Sequence, residues 1–225
     1  MGIISLEKQD HLLWLGRYSE RVYTTLKTFL LGYDQLLDDD KATYVSLCDQ
    51  LDIPNIYTSQ ENFIKTYLFS DQDANSIYCN LKRACDNAVV LRDEISSSSL
   101  SYVQMALDTL EGCREEPLNL LGLQTVLDLL LAFWGSLDDN VLSEESRNLI
   151  KSGRYLERLD LYIRFGYPAS ALAREMSKFA NRIGKLQSFQ YDAAAYQSFA
   201  AAVQHGGSLK PQLANLNQII LRRPL

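Results

Sequence analysis

Apolar residues recur every three or four positions along the whole 225-residue chain, and no Asn-Gly or Asp-Gly pair divides two alternating apolar runs as a hairpin would. A period near 3.6 lines one face of a helix, whereas a half-buried strand needs a period of two. Only 11 Gly and 5 Pro interrupt the pattern, so the elements are long and the fold class is all-α. Ser5 precedes an amphipathic segment reaching about residue 37, with Leu12, Leu13, Leu15, Tyr18, Val22, Leu26, Phe29 and Leu30 as its apolar stripe. Asp38, Asp39 and Asp40 end it. A short helix over 42–51 stops before Pro54, because the residue preceding a proline disfavours the helical region.

Thr58-Ser-Gln-Glu61 reads as a capping box opening a helix to about residue 69, and Ser70-Asp-Gln-Asp73 as the opening of the next, to about 95. Four serines at 96–99 suit a helix break with its own N-cap, ahead of a helix over 100–111. Gly112 and Pro117 bracket a loop, 118–137 is a strongly apolar helix, and Asp138, Asp139 and Asn140 break the chain again. Ser143 caps a segment reaching about residue 165, stopped by Gly166 and Pro168. Helices over 169–186 and 191–204 follow, the second ended by His205, Gly206 and Gly207, and Pro211 and Pro224 make the tail from about 206 less regular. The connections are short and no linker is visible. Residues 1–225 therefore read as a single antiparallel multi-helix bundle in one domain.

The 22 Lys and Arg against 28 Asp and Glu, a net charge of −6, argue against a nucleic-acid binder or a partner of anionic membranes. Residues 118–134 are the best candidate span, but they carry Asn119, Gln124 and Asp128 and are short of the roughly 20 residues a bilayer needs. The first ten residues meet charge too early for a signal peptide, and Ser5 is out of register for myristoylation of Gly2. Cys48, Cys79, Cys85 and Cys113 form no C-x-x-C pair and sit among apolar residues, which suits reduced thiols in a cytoplasmic setting. Neither His11 nor His205 follows a glutamate by three, as a di-iron bundle requires, and no phosphate-binding glycine loop or H-E-x-x-H is present. No cofactor or metal is expected.

One internal repeat stands out. Gly16-Arg17-Tyr18-Ser19-Glu20-Arg21 recurs 137 residues later (153 − 16) as Gly153-Arg154-Tyr155-Leu156-Glu157-Arg158, with five of six residues identical. Within each copy the arginines stack one turn apart, and Arg17 can pair locally with Glu20. Arg21 and Arg158 are best satisfied reciprocally, Glu20 meeting Arg158 and Glu157 meeting Arg21 where two long helices pack together. Gly16 and Gly153 would let the backbones approach, at about 1 kcal/mol of helix propensity each. Two readings follow, a structural ion-pair lock or recognition of an acidic group. Four arginines with two tyrosines exceed two glutamates in charge, which favours a carboxylate or phosphate unless Asp10 or Asp160 joins them.

At these residues the sequence resembles the bacterial alpha-E domain family, all-helical domains of unresolved biochemical function named for a Glu-Arg motif. Leu13-Trp-Leu-Gly-Arg-Tyr-Ser-Glu-Arg21 looks like the family's opening helix, and Gly153 to Arg158 like its second Glu-Arg motif. Residues 76–96 are similar to its central segment, matching at Ala84, Asn87, Ala88, Arg92 and Ser96 and departing at Cys85 and Val89, where arginine is usual. The resemblance adds Trp14, Asn87 and Arg92 to the residues of interest. Family members are commonly encoded beside, or fused to, a circularly permuted ATP-grasp protein, often with a transglutaminase-like protein. That company implies a helper role in amide- or peptide-bond formation or peptide modification.

The expectation is thus a non-catalytic partner or binding module for an ATP-grasp-type ligase. In it Arg17, Arg21, Arg154 and Arg158 bind an acidic group and Glu20 and Glu157 orient them, or the cluster locks the bundle. An enzyme using Glu20 or Glu157 as general base needs a raised carboxylate pKa, which neighbouring arginines oppose. A purely structural homo-oligomer subunit would show a large exposed apolar patch.

Overall fold

The computed structural model describes residues 4–38, 43–114, 118–187, 189–205 and 209–220. Among them the chain is helical: α1 (Leu6–Asp38), α2 (Thr43–Leu51), α3 (Gln60–Phe69), α4 (Ile77–Val90), α5 (Arg92–Gly112), α6 (Leu120–Asn140), α7 (Glu144–Arg164), α8 (Ala169–Ile183), α9 (Ala193–His205) and α10 (Leu213–Gln218), with a 3-10 turn at Lys210–Gln212 before the last. The all-α expectation holds. An isolated bridge between Tyr191 and Ile220 ties the start of α9 to the end of the tail.

Helix ends follow local chemistry. Ser143 accepts from the Ser146 backbone N–H and starts α7, and Gly166, at φ +68°, closes its far end. Asp52, at φ 57°, turns the chain out of α2 ahead of Pro54. In the 58–61 box the cap is Ser59, one residue later than expected: its hydroxyl accepts from Asn62 N–H, while the Asn62 side chain accepts from Thr58 N–H. Ser70 starts no helix. Its hydroxyl accepts from Gln72 and Asp73 N–H and makes a turn, and α4 opens six residues later at Ser76, whose hydroxyl accepts from Cys79 N–H. Nor does α4 run to residue 95; it ends at Val90 and α5 takes over after Leu91.

The serine run breaks α5 as expected. Ser96 sits at φ 70°, ψ 155°, and its hydroxyl accepts from Ser99 N–H. Asp138, Asp139 and Asn140 do not break the chain; α6 runs through them, with Asn140 bonding back to the Ser136 carbonyl, and ends at Val141. At 21 residues α6 is longer than expected, and by length and composition it meets the requirement for a bilayer span. One stripe of it, from Leu123 through Leu130 to Leu137, is buried. Residues 39, 40, 42, 117, 206, 207 and 224, invoked above as breaks or boundaries, lie outside the described residues.

Buried apolar side chains from every helix form one connected cluster, with Phe29, Phe63, Tyr67, Phe133, Phe179 and Phe199 among its largest members. Neighbours joined by short connections are antiparallel. Ser99 meets Ser136 and Cys113 lies beside Gly122 across α5 and α6, while Asn148 meets Arg182 and Arg158 meets Glu175 across α7 and α8. The central pair differs. Contacts of α1 with α7 advance together along both helices, Gly16 against Ile150 and Arg154, then Glu20 against Arg154 and Arg158, so the two run parallel. The antiparallel arrangement therefore does not extend to the pair that carries the repeat.

Candidate functional site

The parallel pairing makes the repeat a local two-fold. Leu13, Gly16, Arg17 and Glu20 lie three or four apart on one face of α1, and Ile150, Gly153, Arg154 and Glu157 on the matching face of α7. At the crossing the backbones touch. A Cβ built on Gly16 would overlap the Ile150 carbonyl oxygen, and one on Gly153 would overlap the carbonyl oxygen of Leu13. This approach sets the glutamate of each helix among the arginines of the other.

The reciprocal pairs are as expected, and each glutamate holds two arginines. Glu157 accepts from Arg17 Nε at 2.7 Å and Arg21 Nε at 2.5 Å. Glu20 accepts from Arg158 Nε at 2.6 Å, Arg158 Nη2 at 2.8 Å and Arg154 Nε at 3.1 Å. Arg17 thus pairs across the interface with Glu157 and not locally with Glu20. Both glutamates are fully buried, at 0 % exposure. Burial alone would push the Glu157 carboxyl up, but the charges and hydrogen bonds of Arg17 and Arg21 outweigh it and hold the group below the usual carboxylate range. For Arg158, burial opposes the charge, yet the Glu20 carboxylate overrides it and the guanidinium is held more firmly protonated than usual.

The tyrosines do not join the cluster. Each follows an arginine by one residue, about 100° around the helix, and so faces a flank. Tyr18 stacks on Trp14 at 5.0 Å with Arg83 of α4 over its ring, while Tyr155 has Lys178 of α8 over its ring. Trp14 also lies under the Arg17 guanidinium, at 4.9 Å. Asn87 is elsewhere, its Oδ1 accepting from His11 Nδ1 and its Nδ2 donating to the Arg83 carbonyl. Arg92 is exposed near Asp93, away from the cluster. Asp10 is exposed, and Asp160 is engaged by Arg164.

Four further residues complete the lattice. Thr24 donates its hydroxyl to Glu20, a pairing one turn along the same helix that the spacing could have revealed. Glu175 of α8 reaches Arg158 Nη1 at 3.4 Å, and Asn217 of α10 accepts from Arg17 Nη2 at 3.1 Å. Trp134 of α6 lies 4.2 Å beneath the Arg154 guanidinium. Glu175, Asn217 and Trp134 come from distant helices, and nothing in the repeat points to them. Beside Arg21 a cleft of about 160 Å³ opens between α1, α7 and the 51–53 turn. Among the described residues, no group of three or more His, Cys, Asp or Glu is placed to hold a metal ion.

No curated protein sequence and no solved structure matches this chain significantly. A family profile does, over residues 8–211, described as a predicted alpha-helical domain with a conserved ER motif. The Glu20-Arg21 and Glu157-Arg158 dipeptides that interlock α1 and α7 are the Glu-Arg pairs of this sequence, and the chain belongs to the Alpha-E family.

Proposed function

We propose that this chain is a non-catalytic, cytoplasmic helical partner of an ATP-grasp-type amide or peptide ligase, in a peptide-modifying system that also includes a transglutaminase-like protein. The observation that carries the non-catalytic part is the state of Glu20 and Glu157: both are fully buried and each is clamped by two guanidiniums. A general base must reach a substrate proton, and full burial denies both carboxylates that access; at Glu157 the arginines lower the basicity as well. The cluster instead clamps α1 to α7, which leaves outer faces of the bundle for a partner. The four free cysteines agree with a reducing compartment. The partnership itself follows from the Alpha-E resemblance.

The test is co-elution with a purified circularly permuted ATP-grasp protein and the effect of this chain on that protein's ligase turnover. A stable complex with altered turnover is expected. Absence of both overturns the reading. Arg21→Ala with Arg158→Ala separates lock from binding surface: stability falls while the partner affinity of the folded fraction is unchanged if the cluster is a lock.

A further inference from the structure

The two halves of the Glu-Arg cluster are not equivalent. Arg158 turns all three of its guanidinium nitrogens toward carboxylates: Nε and Nη2 toward Glu20, and Nη1 toward Glu175. Its counterpart Arg21 donates Nε to Glu157, and among the described residues no acceptor is found for its Nη1 and Nη2. The exposures agree, 36 % for the Arg21 side chain against 12 % for Arg158. The carboxylates divide the same way: Arg154 and Arg158 face Glu20 and Glu175, the latter shared with Arg174 and Lys178, whereas Arg17 and Arg21 share Glu157 alone.

What lies where a counterpart of Glu175 would sit is the open cleft of about 160 Å³. Its lining includes Arg21, Thr25, Tyr67, Asn75, Asp160 and Arg164. Among the described residues no hydrogen bond joins Asp160 to Arg21: its Oδ1 accepts from Arg164 Nε at 2.6 Å, and its charge favours the Arg21 cation only from a distance. Asp52 at the mouth is 87 % exposed and lies 3.7 Å from Arg164. The rest of the lining is uncharged, with Thr25, Tyr67 and Asn75 beside the apolar Leu51, Ile53 and Leu161, and burial pushes the ionisation of the Tyr67 phenol above the ordinary range, so it stays a neutral hydroxyl.

We infer that this cleft receives the carboxylate of a ligand on the terminal nitrogens of Arg21, in the place that Glu175 takes opposite Arg158. A guanidinium whose Nε is already held by Glu157 is oriented in advance, and its outer edge presents N–H groups matched to a carboxylate. The cleft is small beside the roughly 300–1,000 Å³ of pockets for drug-sized ligands, so it fits a carboxyl group and a short stem. That describes a small carboxylic acid or the C-terminus of a peptide. The site belongs to this chain alone and stands whether or not a ligase binds it.

The experiment is an NMR titration of the full chain at constant ionic strength with acetate, N-acetyl-alanyl-alanine, the C-terminal amide of that dipeptide, and inorganic phosphate. Saturable binding of a carboxylate with shifts around Thr25 and Asn75, and loss of binding in the amide, is expected. Binding of acetate as tight as the dipeptide identifies a small acid; binding of the dipeptide alone identifies a peptide terminus. Asn75→Glu supplies an internal carboxylate without touching the Glu-Arg pairs and should weaken binding about tenfold or more while thermal stability holds. Arg21→Lys keeps the charge, removes the fork, and should weaken binding similarly. Absence of saturable carboxylate binding, binding of phosphate alone, or undiminished binding in both variants overturns the assignment.

Discussion

Glu20 of α1 accepts from both Nε and Nη2 of Arg158 on α7, at 2.6 and 2.8 Å, with none of its own surface in contact with water. Glu157, its counterpart, receives one nitrogen from each of two arginines. An ion pair taken out of water is stabilising only while its geometry stays whole, since each partner left alone is a buried charge.

Glu20→Gln is therefore expected to destabilise the protein by about 3–5 kcal/mol, the range for breaking a buried pair from one side. Glu157→Gln should cost less, because Arg21 is more than a third exposed and can turn toward solvent. Urea denaturation of the two variants beside the wild type reads the difference. Equal costs would mean that the cleft side of the cluster is as closed as the α8 side.

Gly16→Ala and Gly153→Ala each place a methyl group inside a backbone carbonyl oxygen of the facing helix. Alanine raises helix propensity by about 1 kcal/mol, but here the helices must separate and every ion pair at the crossing must stretch. A net loss of about 1–3 kcal/mol is expected from such overpacking. Gly135→Ala on α6 is the control, since a Cβ there meets nothing within 4 Å and should stabilise by up to about 1 kcal/mol. Thermal melts of the three variants give the signs directly.

The reciprocity of the cluster was legible because two copies of one motif with unsatisfied arginines have few ways to satisfy each other. The direction of the helices was not, since the two reciprocal pairs join adjacent residues, Glu20-Arg21 with Glu157-Arg158, and either direction of the second helix can make them. Ser70 shows another limit. Its hydroxyl makes the same short-range hydrogen bonds as a helix cap, yet Tyr57 donates to Asp73 at 2.7 Å and holds the segment as a turn until Ser76. Glu175, Asn217 and Trp134 were invisible because they arrive through packing of α8, α10 and α6, and Tyr18 and Tyr155 were misplaced by one step around their helices.

Ser96 occupies φ 70°, ψ 155°, a region that only glycine enters without strain. Its hydroxyl caps the following turn through Ser99 N–H. Ser96→Gly relieves strain of about 1–3 kcal/mol and loses a few tenths from the cap, so it should raise stability by roughly 1 kcal/mol or more. Ser96→Ala keeps the strain and loses the cap, and should lower stability. A gain for alanine as large as that for glycine would show that the hydroxyl, and not the backbone, is the source of the effect.

Acid should loosen the α1–α7 pair through Glu157 and Glu175. Burial works against ionisation of both, yet Arg17 and Arg21 on one, and Lys178 and Arg158 on the other, hold their carboxyls below the ordinary value of 4.5. In the unfolded chain each takes up its proton near that ordinary value. The unfolded state therefore binds more protons between the depressed and ordinary values, and stability falls as pH drops through that interval. The contribution is complete above about 4.5 and gone once pH has passed below the folded values. Glu157→Gln has no proton to take up there, so its unfolding free energy, though lower at neutral pH, should change less between pH 6 and pH 3 than that of the wild type, by roughly 1 kcal/mol for each unit of depression. Parallel acid limbs for the two proteins would mean that the Arg17–Glu157–Arg21 pairing contributes nothing to folding.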